Sequence, residues 1–272
     1  FGGGFGAGAV QGGDVAVAVE ISLAEAATGK SVEVDYESVE RCERCHGNRA
    51  EPGTPIEQCP RCGGSGQLQS MARTAFGQMV RTQACDTCGG TGDRIEKSCT
   101  ECAGRGVRAQ RKTLSVDIPA GIADEQRIRV TGRGHAGERG GPEGDLYVLV
   151  RVAEDARFIR DGNDLVSVVD VPAPAAALGT TLSVPTLDGD QDIEVAAGTQ
   201  PGEVKVLRGQ GMPDVRRGRR GDHRVIVNVV IPRKLSRLQR DALEAFQATL
   251  TEENLAEARE EGLFAKVRRA LR

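Results

Sequence analysis

All eight cysteines of the chain fall in four C-x-x-C pairs: Cys42/Cys45, Cys59/Cys62, Cys85/Cys88 and Cys99/Cys102. A glycine stands two places after each pair, and three of the four continue as C-x-x-C-x-G-x-G, ending at Gly66, Gly92 and Gly106. The first has Arg49 in that last position. Two cysteines three apart on a tight turn can hold one metal ion between them. The small residues that follow leave room for backbone N–H groups to approach the thiolates. A closed four-thiolate zinc site needs two such pairs, so the four pairs predict two structural Zn2+ per chain.

Two other chemistries use cysteines. A disulfide framework belongs mostly to small domains that cannot build a core, whereas these cysteines lie within 61 residues of a 272-residue chain with ample apolar sequence elsewhere. A redox C-x-x-C is normally a single motif beside a βαβ unit, and no such pattern flanks any pair. Spacing alone permits three ways of coupling the four pairs. The nested one is favoured because it makes a single hairpin-like rod: Cys42, Cys45, Cys99 and Cys102 on one ion, Cys59, Cys62, Cys85 and Cys88 on the other. Gln67 to Ala84 lacks ligands and reads as two strands about a Phe76-Gly77 turn, which would hold the middle pairs together. Little apolar sequence lies in this segment, so its fold should depend on metal.

The elements around the metal segment read as strands. Val15, Val17, Val19 and Ile21 alternate with Ala16, Ala18 and Glu20; a short Ala-rich helical turn, Leu23 to Thr28, stops at Gly29; then Val32, Val34 and Tyr36 alternate again. Leu114, Val116 and Ile118 resume the alternation after the cysteines, followed by Ile128 and Val130, and then by Leu146, Val148, Val150 and Val152. Part of this pattern occurs twice. Gly121, Gly132, Gly134, Gly144 and Asp145 recur 77 residues later as Gly198, Gly209, Gly211, Gly221 and Asp222. Asp14, Val19, Gly29 and Val34 recur 150 residues later as Asp164, Val169, Gly179 and Val184. The two offsets differ by 73 residues, so the first copy carries an insertion of that size between Val34 and Ile118, and it contains every cysteine pair.

The predicted fold is mainly β: two tandem β-sandwich-like domains, a two-zinc cysteine-rich module inserted in the first, and a C-terminal helical segment. The expected limits are 1–13 for a Gly/Phe-rich flexible linker, 14–41 with 107–158 for the first β-domain, 42–106 for the zinc module, 159–233 for the second β-domain and 234–272 for the helical segment. In that last segment Leu235, Leu238, Ala242, Leu243 and Phe246 fall at helical spacing, and Leu250, Leu255, Leu263, Phe264, Val267 and Leu271 continue an amphipathic pattern after a turn near Thr251. Despite its basic end, it reads as a homodimerisation helix rather than a membrane-surface one.

Composition excludes several classes. No stretch approaches the ~18 uninterrupted apolar residues of a membrane span. A net charge of −3, with 3% aromatic residues and no Trp, disfavours nucleic-acid binding. The chain begins Phe-Gly-Gly-Gly with no initiator methionine, as expected of a piece of a longer protein. The Asp161, Asp164, Asp188, Asp190 and Asp192 cluster lacks a 12-residue calcium loop. Gly132-Arg-Gly134 and Gly209-Gln-Gly211 lack the strand-then-helix setting of a nucleotide loop and read as turns. No Ser/His/Asp or paired-carboxylate arrangement stands out, so no covalent chemistry is expected.

The combination of a Gly/Phe-rich start, an interrupted β-domain with four C-x-x-C-x-G-x-G repeats, its second copy and a helical end resembles the class A Hsp40 (DnaJ) co-chaperones of bacterial type. The stretches IPAG (Ile118–Gly121), GDLYV (Gly144–Val148), RDGNDL (Arg160–Leu165), ALG (Ala177–Gly179) and VPTLDG (Val184–Gly189) carry the likeness. The resemblance implies a cytoplasmic protein that captures exposed apolar segments of unfolded polypeptides and delivers them to an Hsp70 (DnaK). By the family's pattern the client groove lies on the first β-domain, where a bound segment adds alongside a strand, and it would involve Val15, Val34, Tyr36 and Phe158. Val17 and Val19 read as core instead. The family's J-domain carries a His-Pro-Asp tripeptide that stimulates Hsp70, and none occurs here, so this chain is expected to hold clients without triggering Hsp70 alone. Arg49 spares every ligand and should alter only a loop. His46 follows Cys45, yet thiolates already fill each site. The arginines at 216, 217, 219, 220 and 224 form a basic loop that could receive an acidic Hsp70 tail. The rival readings are a thiol–disulfide isomerase, which predicts reactive thiols, and a zinc-ribbon nucleic-acid binder, which predicts salt-sensitive affinity.

Overall fold

The computed structural model describes residues 10–74, 77–137 and 141–254. The alternating valines form β1 (Val15–Ile21). Ser22 then caps α1 (Leu23–Thr28): its hydroxyl accepts from the Glu25 amide, and the Glu25 carboxylate accepts from the Ser22 amide. Gly29 ends the helix at φ 80°, donating its N–H to the Glu25 carbonyl. Strand β2 (Lys30–Arg41) runs directly into Cys42. Four strands lie within the cysteine segment: β3 (Ile56–Gln58), β4 (Gln67–Thr74), β5 (Gly77–Ala84) and β6 (Asp93–Ile95). Strand β7 (Val107–Ile118) returns beside β2, followed by β8 (Gln126–Val130) and β9 (Leu146–Val152).

The pairings are nested. β2 pairs with β7, β3 with β6 and β4 with β5, the last from Gln67↔Ala84 to Thr74↔Gly77. The expected hairpin is therefore present, with residues 75 and 76 of its turn outside the described residues. The three-stranded sheet β1-β9-β8 and the pair β2-β7 enclose one core of Val34, Tyr36, Val116, Leu146 and Val148, with Val15, Val17, Val19, Leu114, Ile128 and Val130 packed against it.

The second half contains β10 (Ile159–Asp161), β11 (Asp164–Pro172), α2 (Ala173–Leu178), β12 (Thr180–Thr186), β13 (Gly189–Val195), β14 (Val204–Leu207) and β15 (His223–Val230). Here β11-β15-β14 reproduces the order β1-β9-β8, with β10 added at one edge, and β12-β13 reproduces β2-β7. The likeness extends to single hydrogen bonds. The Gly132 amide donates to the Asp145 carboxylate at 2.9 Å, and the Gly209 amide to Asp222 at 2.9 Å. The Asp145 amide donates to Asp14 at 2.8 Å, and the Asp222 amide to Asp164 at 2.8 Å. The repeated Gly and Asp residues thus fix the same loop in both copies. Contact density divides the chain into two units: one built from Val32–Val116, Glu125–Val150 and the chain up to Val19, the other from Glu20–Ser31, Asp117–Asp124 and the chain from Arg151 onward.

One pair of equivalent core positions changes from apolar residues to a hydrogen-bonded polar pair. Val17 and Leu146 of the first copy correspond to Ser167 and His223 of the second. His223 is fully buried, its Nε2 2.7 Å from the Ser167 hydroxyl, with Nδ1 unpartnered and the Phe158 ring packed edge-on. Burial pushes the His223 imidazole below its ordinary pKa. Its contribution to stability is therefore complete above the unfolded value of about 6.5 and lost as pH falls below it, by at most about 1.4 kcal/mol per pH unit. Replacing Ser167→Val together with His223→Leu should remove this acid sensitivity from the second unit, as read by guanidinium melts at pH 5 and pH 7. An unchanged difference between the two pH values would remove His223 as its source.

Beyond the second sandwich, Ser236 and Gln239 form a reciprocal cap on α3 (Arg237–Thr249). No residue of α3 is buried, and Leu238, Leu243 and Phe246 are exposed along it. The expected continuation from residue 255 lies outside the described residues, as do residues 1–9 of the expected linker. Gly12 and Gly13 are tied down, the first by its amide to the Pro142 carbonyl and the second by its carbonyl to the His135 amide. Among the described residues, no helix is long and apolar enough to cross a membrane.

Candidate metal centres

Each C-x-x-C pair sits on the same backbone turn. The residue after the second cysteine has positive φ in all four turns: His46 at 49°, Gly63 at 56°, Gly89 at 60° and Ala103 at 50°. The next, Gly47, Gly64, Gly90 or Gly104, lies between 75° and 90°. The last, Arg49, Gly66, Gly92 or Gly106, lies between 71° and 81°. Three left-handed residues in the four that follow the second cysteine account for the glycines, because a Cβ is disfavoured there. Their product is a bond to sulfur. The amides of Gly66, Gly92 and Gly106 donate to the Sγ atoms of Cys62, Cys88 and Cys102 at 3.3, 3.3 and 3.2 Å.

The turns face each other in pairs across the antiparallel ladders, and this brings the thiols together as two tetrads: Cys42, Cys45, Cys99 and Cys102, and Cys59, Cys62, Cys85 and Cys88. Within each, the sulfurs lie within 4.8 Å of one another. Sγ–Sγ separations are 3.9 Å for Cys42–Cys99, 3.7 Å for Cys45–Cys102, 3.9 Å for Cys59–Cys85 and 3.8 Å for Cys62–Cys88. A tetrahedron with Zn–S of about 2.3 Å has an edge of about 3.8 Å, so the sulfurs already stand where such an ion needs them. A disulfide would need about 2.05 Å, and all eight cysteines are free. The residues fit a soft divalent cation. His46 is exposed and belongs to neither tetrad.

The electrostatics point the same way. At Cys42 the Cys45 amide favours the thiolate, but burial and hydrogen bonds shared with Cys45 and Cys99 push the thiol up to about 12. Burial works against the thiolate at Cys102, yet the Gly106 amide and the neighbouring thiols bring it down to about 7. At Cys88 burial is likewise outweighed, by the Gly92 and Gly90 amides and by Cys85 and Cys62, and the thiol falls to about 6. The Cys62 amide pulls the Cys59 thiol down, but burial raises it overall. Each tetrad thus sets one thiol shifted down beside one shifted up, and four thiolates can stand together only around a cation. The tetrads also differ in cover. All four cysteines of the first are buried, whereas Cys62 and Cys88 of the second are partly exposed.

Charged side chains brace the first tetrad. Glu51 accepts from the Thr100 amide at 2.9 Å and pairs with Arg44. Arg49 does more than alter a loop, since its Nη2 lies 2.7 Å from Asp93 Oδ2. Neither Glu51 nor Asp93 stood out in the sequence. The signal available was the break in the glycine pattern at position 49.

The residues matched to a client groove are placed as follows. Val15, Val34 and Tyr36 meet in the core of the first unit, where Val34 and Tyr36 are buried and Val15 packs partly exposed against them. Phe158 belongs to the second unit, is buried, and carries the Arg157 guanidinium 5.0 Å above its ring. Of the basic loop, Arg220 pairs with Asp188 at 2.6 Å and Arg224 with Asp164 at 2.5 Å, while Arg216, Arg217 and Arg219 are exposed.

Comparison with known proteins agrees with this architecture. The family model described as the DnaJ C-terminal domain matches residues 15–232. The chain is 40% identical over 261 residues to a chaperone protein DnaJ of Streptococcus agalactiae, covering 96% of this chain and 70% of that protein. It is 40% identical over 271 residues to a chaperone protein DnaJ of Methanothermobacter thermautotrophicus, covering 100% and 71%. With a chaperone protein DnaJ of Listeria monocytogenes the identity is 38% over 262 residues, covering 96% and 69%.

Proposed function

Because this chain belongs to the DnaJ C-terminal domain family, we propose that it binds exposed apolar segments of non-native polypeptides, keeps them from aggregating and passes them to an Hsp70 in the cytoplasm. The relatives' name, chaperone protein DnaJ, supports the chaperone part of this reading. Each tetrad would hold one zinc ion as a structural centre, a role that suits four thiolates with no open position. The ion's contribution is to cross-link the ladders. The residues of the chain do the rest: the turns aim the thiolates, and the glycine amides share their charge.

The observation that carries the client reading is the open side of β2. This strand pairs with β7 alone, and along Val32–Glu37 no strand lies on its other side among the described residues. An extended polypeptide added there gains main-chain hydrogen bonds, and its alternate side chains enter the margin of the core that holds Val15, Val34 and Tyr36. We assign Phe158 to the same task on the family's pattern. The repeat supports the domain limits, with 14–41 and 107–158 as the client-binding domain, 42–106 as the metal module, 159–233 as its second β-copy and residues 1–13 as a linker. The uncovered apolar face of α3 supports a homodimer built through residues 234–272.

The test is photo-crosslinking to a chemically denatured, apolar-rich protein. A photoreactive residue at the exposed position Glu33 should capture it, while one at Ser183 on β12, which has the same open side but Thr186 where β2 has Tyr36, should capture several-fold less. Equal capture at both, or none at Glu33, would defeat the assignment of the groove to β2.

A further inference from the structure

Arg49 occupies a position where the other three turns have glycine. It holds the same left-handed backbone, at φ 72°, a conformation that is strained for a residue with a Cβ. Among the described residues its amide makes no bond to Cys45 of the kind that Gly66, Gly92 and Gly106 make to their cysteines. What the side chain makes instead is the 2.7 Å ion pair with Asp93, at which the arginine is 25% exposed.

The two ends of that pair stand on backbone held by different tetrads. The Arg49 carbonyl accepts the Cys99 amide at 2.8 Å, which ties it to the first tetrad. Asp93 directly follows Gly92, whose amide bonds Cys88 Sγ at 3.3 Å and whose carbonyl accepts the Cys59 amide at 2.9 Å. Asp93 also opens β6 and lies opposite Gln58, the residue before Cys59. Filling the second tetrad therefore fixes Asp93, and filling the first fixes Arg49.

We propose that the Arg49–Asp93 ion pair couples the two metal centres, so that an ion in one tetrad raises the affinity of the other. Arg49 is a positioning residue in this scheme, and the coupling is reciprocal. The inference rests on the reading that the tetrads bind metal. For a partly exposed, geometrically restrained pair the coupling expected is roughly fivefold in affinity.

The experiment uses the full chain and Co2+, whose thiolate charge-transfer absorption reports filling of a tetrad directly. The affinity of the first tetrad is measured with the second intact, and again with it disabled by Cys62→Ser and Cys88→Ser. In the otherwise unaltered chain, disabling the second tetrad should weaken the first roughly fivefold. In an Asp93→Asn or Arg49→Gly background the same change should leave the first tetrad unaffected. Arg49→Gly restores the residue of the other turns, so loss of coupling there cannot be put down to misfolding. The exchange Arg49→Asp with Asp93→Arg should restore the dependence. The coupling is overturned if the unaltered chain shows two independent affinities, or if Asp93→Asn keeps the fivefold dependence. No thiolate–cobalt absorption in the unaltered chain would instead sink the metal reading itself.

Discussion

Chelation of zinc from the native chain should unfold residues 42–106 and leave the second β-sandwich folded. Between those residues the buried apolar side chains are cysteines and Ala50 alone among the described residues. Met71, Met79 and Val80 of the hairpin are exposed. Nothing else in the module can offset the entropy of ordering it, which is of order 1–2 kcal/mol per residue for the backbone alone. A structural zinc site contributes on the order of 10–16 kcal/mol of binding free energy at neutral pH, and the fold of the module should be linked to it almost entirely. The measurement combines zinc content, thiol reactivity and limited proteolysis, before and after chelation. Expected are two zinc ions per chain, thiols that react only once the metal is gone, and new cleavage confined to the module. The partly exposed Cys62 and Cys88 should react first. Thiols that react freely while metal content stays below one ion per chain would bring forward the thiol–disulfide isomerase reading.

Leu146→Ala should be the most damaging single truncation in the first β-domain. Leu146 is fully buried on β9, opposite Val130, and packs in the core with Val34, Tyr36, Val116 and Val148. Truncating such a leucine costs about 2–5 kcal/mol, through lost transfer free energy and the cavity left behind. That is a large fraction of the roughly 5–15 kcal/mol that stabilises a domain. The chain supplies its own reporter. It has no Trp and two Tyr, and both, Tyr36 and Tyr147, lie in this domain. Tyrosine fluorescence in a urea titration should therefore show the transition of this domain moving to lower denaturant. Circular dichroism should show the transition of the second copy in place. A tyrosine transition that does not move would mean that the two sheets are not held together by this core.

The same comparison of copies explains how much could be read in advance. Alternating valines located β1, β2, β7 and β9, because a two-residue side-chain period needs only local backbone geometry. The four turns were legible for a related reason: glycines at fixed offsets from cysteine record left-handed positions that the chain itself imposes. The doubled β-domain and the insertion into its first copy followed from Gly and Asp residues that recur at constant spacing, and the structure shows why they recur, since Asp145 and Asp222 bind the same loop amide in each copy.

Partners were another matter. Spacing left three couplings of the cysteine pairs open. The nested one holds because β3 and β6 align Ile56–Gln58 against Asp93–Ile95 and so bring each turn to its mate. The break at Arg49 was visible in the sequence, but its partner Asp93 stands 44 residues away and became apparent only when the ladder closed. Alternation assigned Val34 and Tyr36 to one face of β2, yet it was the second sheet lying over that face that buried them. In the second copy, Ser167 and His223 interrupt an apolar pattern, and only the packing brings them within 2.7 Å in a closed core. Sequence by itself determined what each segment's backbone does, because dihedral preference and side-chain period are local. Tertiary structure decided which groups meet, because that depends on where the chain returns to itself.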